Sequence, residues 1–347
     1  MKALRALLKA RVPKKEEVSE FVQSVENGKV PCGTFVAQAS TAKVFKVCGV
    51  HAEGRCGDDC VALKVPLQTK SRKVDSEDAR IQREIQQALK DTTAAAHFNR
   101  VLDVLPSDRG PVIVLEFEDK ILTFHTLADV LQSVDVSEML WKSINFQLIS
   151  TLYVAQQKIP GFTHNDTHTE NLLVVPNSSG HVCSVVSPKG RTLTHVSNVL
   201  LKIIDFGQVL ASDPKLRTRD GKALWMPLLG NKMIDFQRFA SWVVWDVQVF
   251  VYKEKRPVPV WYDAWFEFVV SWLDPRFFHI GDPEAKAQFL DLRSGFGLQP
   301  NKFGIEYLEE RYGPSSPFGL GDMLDDPYFD EFVEPELRFS AQIKPRR

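Results

Sequence analysis

Three polar side chains, each placed beside an apolar segment, are the residues of this sequence best suited to chemistry. Asp166 and Asn171 lie five positions apart in a short polar run that leads into an apolar, strand-like segment. Asp205 closes a second apolar run and precedes Phe206 and Gly207. Two carboxylates and an amide at strand edges can supply one base and two Mg²⁺ ligands, the groups that phosphoryl transfer requires. The sequence therefore predicts a phosphoryl-transfer site at these residues.

The spacing of these residues also carries a family resemblance. His164, Asp166 and Asn171 form the pattern His-x-Asp-x-x-x-x-Asn, and Asp-Phe-Gly follows at 205–207, which resembles the catalytic signature of the protein kinase superfamily. The resemblance implies that Asp166 accepts the proton of the acceptor hydroxyl. It also implies that Asn171 and Asp205 hold the metal ions that bridge the ATP phosphates. ATP and Mg²⁺ are the expected cofactors, with Mn²⁺ as the alternative ion.

A lysine inside an apolar strand matches a second part of the family signature. Lys64 ends the run Val-Ala-Leu-Lys, and a buried lysine is costly unless it is paired or holds a ligand. The resemblance implies that Lys64 contacts the α- and β-phosphates of ATP. It further implies that Glu84, in a predicted helix, pairs with Lys64, and that Glu116 lies at the nucleotide site.

The loop expected to cover the phosphates departs from the family pattern. The family sequence is G-x-G-x-x-G-x-V, whereas this chain has Ala37, Ala39 and Ala42 at the glycine positions, followed by Val44. Glycine lets backbone N–H groups approach a phosphate and adopt positive φ. We therefore expect a stiffer loop and weaker ATP binding, with the site retained.

Two neighbours of Asp166 differ from the family as well. Asn165 stands where many kinases carry an arginine that binds a phosphate on the activation loop, and an amide cannot supply that bidentate geometry. We predict activity without activation-loop phosphorylation. His168 stands where Ser/Thr kinases mostly carry lysine, and it would offer the γ-phosphate a mostly neutral donor. Its alternative role is to fill a polar loop.

This form of the loop, HNDxHxxN, resembles haspin-type, antibiotic-kinase and choline-kinase relatives and the kinases of large nucleocytoplasmic DNA viruses. The chain has no Ala-Pro-Glu after Asp205, which puts docking of a peptide substrate in question. Asp235 resembles the buried aspartate that steadies the backbone of the catalytic loop. The alternative is a helix N-terminal aspartate favoured by the helix dipole.

The elements that must position these residues form a predicted α+β, bilobal kinase-like fold. We predict an N-terminal helical extension over residues 1–30 and a small lobe over 31–117, with an antiparallel sheet and one main helix. A mostly helical large lobe is predicted over 118–347, with an inserted loop at about 176–197.

A cluster of soft ligands lies between the second and third predicted strands. Cys48, His51, Cys56 and Cys60 could form a tetrahedral Zn²⁺ site, although their spacing is not a standard one, and reduced cysteines of a hairpin are the alternative. Five cysteines do not resemble a secreted disulfide framework. We therefore predict a reducing, intracellular compartment: the cytoplasm, or the host cytoplasm or virion if the protein is viral.

Composition narrows the partners further. The net charge of −1 provides no positive field for nucleic acid, and no apolar stretch reaches the roughly 18 residues of a membrane span. The expected partners are ATP and a protein substrate of unknown identity, and the oligomeric state is open. The leading interpretation is an ATP- and Mg²⁺-dependent Ser/Thr protein kinase. The alternatives are a pseudokinase-type binding module and a small-molecule kinase.

Overall fold

The structure, a computed structural model, describes residues 14–38, 42–50, 55–67, 72–117, 125–133, 136–273 and 308–333. The chain divides into two compact units, one of residues 1–87 and 99–123 and one of residues 88–98 and 124–347. Each unit has its own antiparallel sheet. This mixed architecture is compatible with the predicted kinase-like fold. Residues 88–98, predicted in the first lobe, group with the second unit.

The first unit is a five-stranded sheet with helices that precede and interrupt it. In chain order its elements are α1 (Lys15–Glu26), β1 (Gly33–Gln38), β2 (Ala42–Val50), β3 (Cys56–Pro66), α2 (Arg72–Leu89, whose last two residues belong to the second unit), β4 (Val101–Leu105) and β5 (Val112–Glu116). The strand order is β1-β2-β3-β5-β4. The predicted antiparallel sheet and main helix of this part of the chain are therefore present.

Side chains alternate between the two faces of this sheet along each strand, and both faces carry buried apolar side chains. Val61, Leu63 and Val65 of β3 pack in one cluster with the apolar side of α1. Ile113 of β5 packs on the opposite face with Ala79 of α2. The predicted N-terminal helical extension is thus part of the core over Lys15–Glu26, and residues 1–13 lie outside the described residues.

Four cysteines at one end of this sheet form two disulfides, and this finding corrects the prediction of zinc ligands or reduced thiols. Cys32 bonds to Cys56, and Cys48 bonds to Cys60, its direct cross-strand partner. Sulfurs joined in this way cannot serve as thiolate ligands for Zn²⁺, and His51 lies outside the described residues. Disulfides are typical of oxidising compartments, which weighs against the predicted reducing one.

The second unit combines helices with a three-stranded sheet. In chain order its helices and strands include β6 (His125–Thr126), α3 (Leu127–Ser133), α4 (Glu138–Lys158), β7 (Leu172–Val186), β8 (Thr192–Ile203), α5 (Arg219–Trp225), α6 (Ile234–Gln248), α7 (Tyr262–Trp272) and α8 (Leu320–Met323). Short 3₁₀ segments include Thr93–His97, Thr169–Asn171 and Pro327–Phe332. No helix in the described part of the chain is both long and apolar enough to cross a bilayer.

The loop predicted at about 176–197 is instead most of a long hairpin, β7 and β8. Its inward positions include polar residues, which hid the strand alternation in the sequence. Helix α4 supplies hydrogen-bond partners for this hairpin: Ser143 Oγ lies 2.7 Å from His195 Nε2 and donates to Ser197 Oγ. Gln147 Nε2 donates to the Val199 carbonyl, and Gln147 Oε1 accepts from the Leu201 N–H. Burial of polar groups with partners costs little, so the strand forms there.

Stacked aromatic side chains fix α4 at the centre of the second unit. Trp141 is fully buried and stacks on Trp261 with ring centroids 3.9 Å apart, while Trp265 meets it edge-on at 5.6 Å. Trp265 Nε1 donates to Asn145 Oδ1 at 2.9 Å, so the polar end of the indole is also satisfied. This rigid core carries the loop between α4 and β7, which contains Asp166.

Candidate active site

Strand pairing brings two of the predicted metal ligands to the same end of the β7–β8 hairpin. Strand β7 begins directly after Asn171, and β8 ends at Ile203, two residues before Asp205. Leu172 pairs with Ile203, and the Ile204 N–H donates to the Asn171 carbonyl at 3.0 Å. Antiparallel pairing therefore places Asn171 beside the segment that leads into Asp205.

Both oxygens of the Asp166 carboxylate have partners. Asn171 Nδ2 donates to Oδ2 at 3.1 Å and to the Asp166 carbonyl at 2.9 Å. Arg238 Nη2 donates to Oδ1 at 3.2 Å, and His168 Nε2 lies 3.8 Å from Oδ2. Burial raises the pKa of Asp166, against the lowering influence of His168 and Arg238. The carboxylate is thus held in a defined orientation, as a base that must orient an acceptor hydroxyl would need to be.

The donor set fits a hard cation. The Asn171 amide nitrogen donates to Asp166, so the amide oxygen is the Asn171 atom that could bind a cation. Strand pairing places the segment that leads into the Asp205 carboxylate beside Asn171. Carboxylate and amide oxygens are the ligands that Mg²⁺ accepts, together with water and phosphate oxygens. Asn171 and Asp205 are therefore the residues that would hold the ion. Among the described residues, no cluster of three or more His, Cys, Asp or Glu side chains forms a metal site from protein ligands alone.

A buried aspartate supports the backbone of the loop that contains Asp166. Asp235 Oδ2 accepts from the His164 N–H at 2.9 Å, and Oδ1 accepts from the Asn165 N–H at 2.6 Å. Thr167 Oγ1 donates to the Asp235 carbonyl at 2.5 Å. Asp235 is fully buried, and this burial raises its pKa to about 6 despite the two N–H donors.

The loop uses left-handed backbone at two residues that are not glycine. Asn165 and Asp205 both have φ of +61°. Such conformations cost of order 1–3 kcal/mol each and persist where the surroundings enforce them, often at functional sites. For Asn165 the surroundings are visible: its amide donates to Thr163 Oγ1 at 2.9 Å and to the Gln208 carbonyl at 3.0 Å. Asn165 is fully buried and joins the loop to the segment after Gly207.

Burial lowers the pKa of two histidines of the loop. His164 is fully buried against Phe206, with ring centroids 5.1 Å apart, and burial lowers its pKa to about 4. Burial also lowers the pKa of His168, whose ring lies 5.4 Å from that of Trp242. His168 therefore offers hydrogen bonds to its surroundings and no permanent charge.

One face of α6 supplies functional contacts that sequence reasoning missed. Besides Asp235, it presents Arg238 to Asp166, Trp242 to His168, and Asp246, whose Oδ2 accepts from Thr169 Oγ1 at 2.6 Å. These positions are spaced three or four residues apart, which places them on one stripe of a helix. That spacing, starting at Asp235, was the available signal.

In the first unit, Lys64 lies in a row of cross-strand neighbours. It pairs with Val44 of β2 and Ile113 of β5, so all three side chains project from the same face of the sheet. This is the face that α2 covers through Ala79. The lysine is half-buried. Its position in a buried strand is as predicted, whereas its role toward phosphates stays a prediction.

The predicted partner of Lys64 lies on the outer side of α2. Glu84 is exposed and forms an ion pair with Arg80, one helical turn away, at 2.5 Å. Asp78, on the same helix, is 8% exposed and stands next to Ala79 on the buried side. Asp78 is therefore the acidic residue of α2 on the face toward the sheet, a placement that sequence spacing alone did not distinguish.

The remaining predicted residues of the nucleotide site are only in part described. Ala37 lies in β1 and Ala42 is buried at the start of β2, while Ala39 lies outside the described residues. Glu116 ends β5 and forms an ion pair with Arg100 at 3.2 Å. These residues belong to the first unit and Asp166, Asn171, His168 and Asp205 to the second.

Comparison with known proteins finds similarity to solved structures. No known protein family matches the sequence, and no curated protein does. Among solved structures, the chain is similar to the crystal structure of the PF14_0431 kinase domain, with 12% sequence identity and a TM-score of 0.45. The similarity covers 86% of this chain and 94% of that one.

Proposed function

We propose that this protein is an ATP- and Mg²⁺-dependent phosphotransferase of the protein-kinase type, acting on Ser/Thr hydroxyls. The observation that carries the proposal is the held Asp166 carboxylate, with its two oxygens bound by Asn171 and Arg238 at the end of a hairpin that also leads into Asp205. The candidate base and the candidate metal ligands thus lie together at one end of the β7–β8 hairpin. The sequence motif alone could not establish this arrangement.

In the proposed reaction, bound Mg²⁺–ATP supplies the transferable phosphoryl group and the charge that neutralises it. Asp166 would accept a hydrogen bond from the acceptor hydroxyl and take its proton as the new O–P bond forms, while the bond from the γ-phosphorus to the β,γ-bridging oxygen breaks and ADP leaves. The Asn171 amide nitrogen would keep that carboxylate turned toward the acceptor, and Asn171 and Asp205 would hold the ion. Lys64 is the residue proposed to bind the α- and β-phosphates, and His168 the one proposed to donate to the γ-phosphate.

We further propose that activity does not depend on phosphorylation of the activation loop. Asn165 is buried, and its amide is used by backbone and side-chain acceptors within the protein. It is therefore not placed to receive a phosphate from solvent. The link from Asn165 to Gln208 instead orders the start of that segment without modification.

The test is phosphate transfer by the purified chain with Mg²⁺ and [γ-³²P]ATP, to itself and to generic protein substrates. We expect Asp166→Asn to lower the rate by at least about a hundredfold, on the order of a general base's contribution. Asp205→Ala should also remove the thermal stabilisation that Mg²⁺–ATP provides. Asp213→Asn is the matched control, since Asp213 accepts the Lys215 N–H at a 3₁₀ N-terminus and asparagine caps equally well.

The outcomes separate the alternatives. Transfer to a small alcohol but not to protein would favour a small-molecule kinase. Stabilisation by Mg²⁺–ATP without transfer to any acceptor would favour the pseudokinase-type binding module. An unmodified protein that neither transfers phosphate nor is stabilised by Mg²⁺–ATP would refute the proposed function.

A further inference from the structure

We propose that Arg238 of α6 is a positioning residue that fixes the Asp166 carboxylate for the acceptor hydroxyl. The inference deepens the proposed function and rests on it. Arg238 lies 72 residues beyond Asp166 in sequence and donates to Oδ1 through Nη2 at 3.2 Å. No motif that the sequence presents joins these two residues.

In the described part of the chain, Arg238 is the side chain that donates a hydrogen bond to Oδ1 of Asp166. Asn171 holds Oδ2, the opposite oxygen. With one donor on each oxygen, rotation of the carboxylate about its Cβ–Cγ bond would break one of the two hydrogen bonds. Removal of Arg238 would leave Oδ1 without this donor and free the carboxylate to turn. The acceptor would then meet a base in the wrong orientation, which reduces rate more than binding.

Charge supports the same role. The Arg238 side chain is 6% exposed and that of Asp166 is 14% exposed, so the pair is largely shielded from water. A buried carboxylate is costly without a counter-ion. His168 lies 3.8 Å from Oδ2, and burial lowers its pKa. The guanidinium therefore supplies the permanent positive charge in contact with Asp166 in the described part of the chain.

The position of Arg238 on its helix makes the arrangement rigid. Asp235, one turn earlier on α6, holds the backbone of the same loop at His164 and Asn165. One helix thus sets the backbone path of the loop and the orientation of its carboxylate. An arginine that acted only as packing would not need to reach the reacting group.

The first experiment compares Arg238→Met, Arg238→Lys and Arg191→Met in the phosphate-transfer assay. Arg191 is the matched control, because it pairs with Asp330 and the Asp325 carbonyl in the same unit, away from Asp166. We expect Arg238→Met to lower kcat at least about tenfold with KM for ATP within about twofold, since misplacement of a reacting group acts on rate. Arg238→Lys should restore part of kcat, and Arg191→Met should leave it unchanged. An unchanged kcat in Arg238→Met would overturn the inference and leave the proposed function intact.

The second experiment tests the ion pair between Arg238 and Asp166 without an activity assay. It measures Tm in a double-mutant cycle of Arg238→Met and Asp166→Asn. We expect Arg238→Met to lower Tm by about 5 °C, as for a broken buried pair in a domain of this size, and the double variant to recover part of that loss. Additive losses would show that the two side chains are not coupled and would overturn the inference. If the unmodified protein transfers no phosphate, the proposed function fails, and the cycle still decides whether Arg238 is the counter-ion of Asp166.

Discussion

At the scale of single residues, the loop that contains Asp166 is held by the carboxyl group of Asp235, which is fully buried. The two carboxyl oxygens of Asp235 accept hydrogen bonds from the backbone N–H groups of His164 and Asn165. Asn165 has a left-handed backbone conformation. Hydrogen bonds to a charged group contribute about 1.5–3 kcal/mol each. The strain at Asn165 is therefore offset locally by Asp235.

This balance predicts the effect of Asp235→Asn. The amide can accept from one of the two N–H groups, but its own NH₂ faces the other donor, so we expect a loss of about 2 kcal/mol in stability. We also expect a drop in kcat of at least about tenfold from a displaced Asp166, with Mg²⁺–ATP stabilisation retained. Thermal unfolding and transfer assays measure both effects. Equal stability of the variant and the unmodified protein would contradict the role assigned to these two hydrogen bonds.

Sequence reasoning located the individual chemical groups better than it located their partners. The position of Asp166, Asn171 and Asp205 around β7 and β8 followed from a short motif next to apolar runs. The contact from Arg238 could not be predicted, because it depends on how α6 packs beneath the loop. Glu84 illustrates a second difficulty. Its separation from Lys64 along the chain did not reveal that Glu84 lies on the exposed side of α2.

At the scale of elements, the sheet of the first unit is held by covalent as well as packing interactions. The disulfides Cys32–Cys56 and Cys48–Cys60 link the segment before β1, the end of β2 and the start of β3. The loops that they close span 24 and 12 positions. Closing loops of this size stabilises a protein by about 3 kcal/mol in the chain-entropy description.

We therefore predict that reduction destabilises the first unit. Treatment with dithiothreitol should lower the unfolding temperature, and alkylation followed by mass spectrometry should show four newly modified cysteines. Cys183 is the internal control, because it is buried, burial raises its pKa to about 11, and it carries no disulfide. If the oxidised protein already alkylates at Cys48 or Cys60 before unfolding, the disulfides do not form in solution.

The β7–β8 hairpin was not predicted from the sequence, and its buried residues explain why. Its inward positions carry Ser197 and His195, residues that ordinarily indicate a loop. Their shared partner, Ser143, lies on α4 some fifty positions earlier, and Gln147 of the same helix bonds the backbone of Val199 and Leu201. Periodicity detects burial by hydrophobicity, so a strand that is buried through hydrogen bonds looks irregular until the opposing helix is known.

At the scale of the whole molecule, buried histidines couple folding to pH. Burial lowers the folded-state pKa to about 3 for His97 and to about 4 for His164 and His195. The unfolded chain binds protons near pH 6.5, whereas the folded protein does not, so stability falls as pH drops from 6.5 toward 4. Asp235 acts in the opposite direction, because its raised pKa of about 6 makes the folded state bind the proton first.

With three such histidines against one such aspartate, we expect net loss of stability between pH 7 and pH 5. His195→Gln should make this loss smaller by about 1–2 kcal/mol, since glutamine can still bond Ser143 but cannot titrate. Urea unfolding of both proteins at several pH values measures the difference. Parallel pH profiles for the variant and the unmodified protein would show that His195 is not neutral and buried in the folded state.

The stripe of α6 that faces the catalytic loop has a consequence for how this protein tolerates change. In a saturation screen for activity, sensitivity along the helix should rise at 235, 238, 242 and 246, a spacing of three or four. Screened for folding alone, the same helix should show peaks at 235 and 238, whose loss lowers stability, and additional peaks at its apolar positions, including Phe236, Phe239 and Val243, which are buried. The additional peaks would share the period of the activity profile and differ from it in phase by part of a turn. That offset would separate, within one helix, the residues kept for chemistry from those kept for the core.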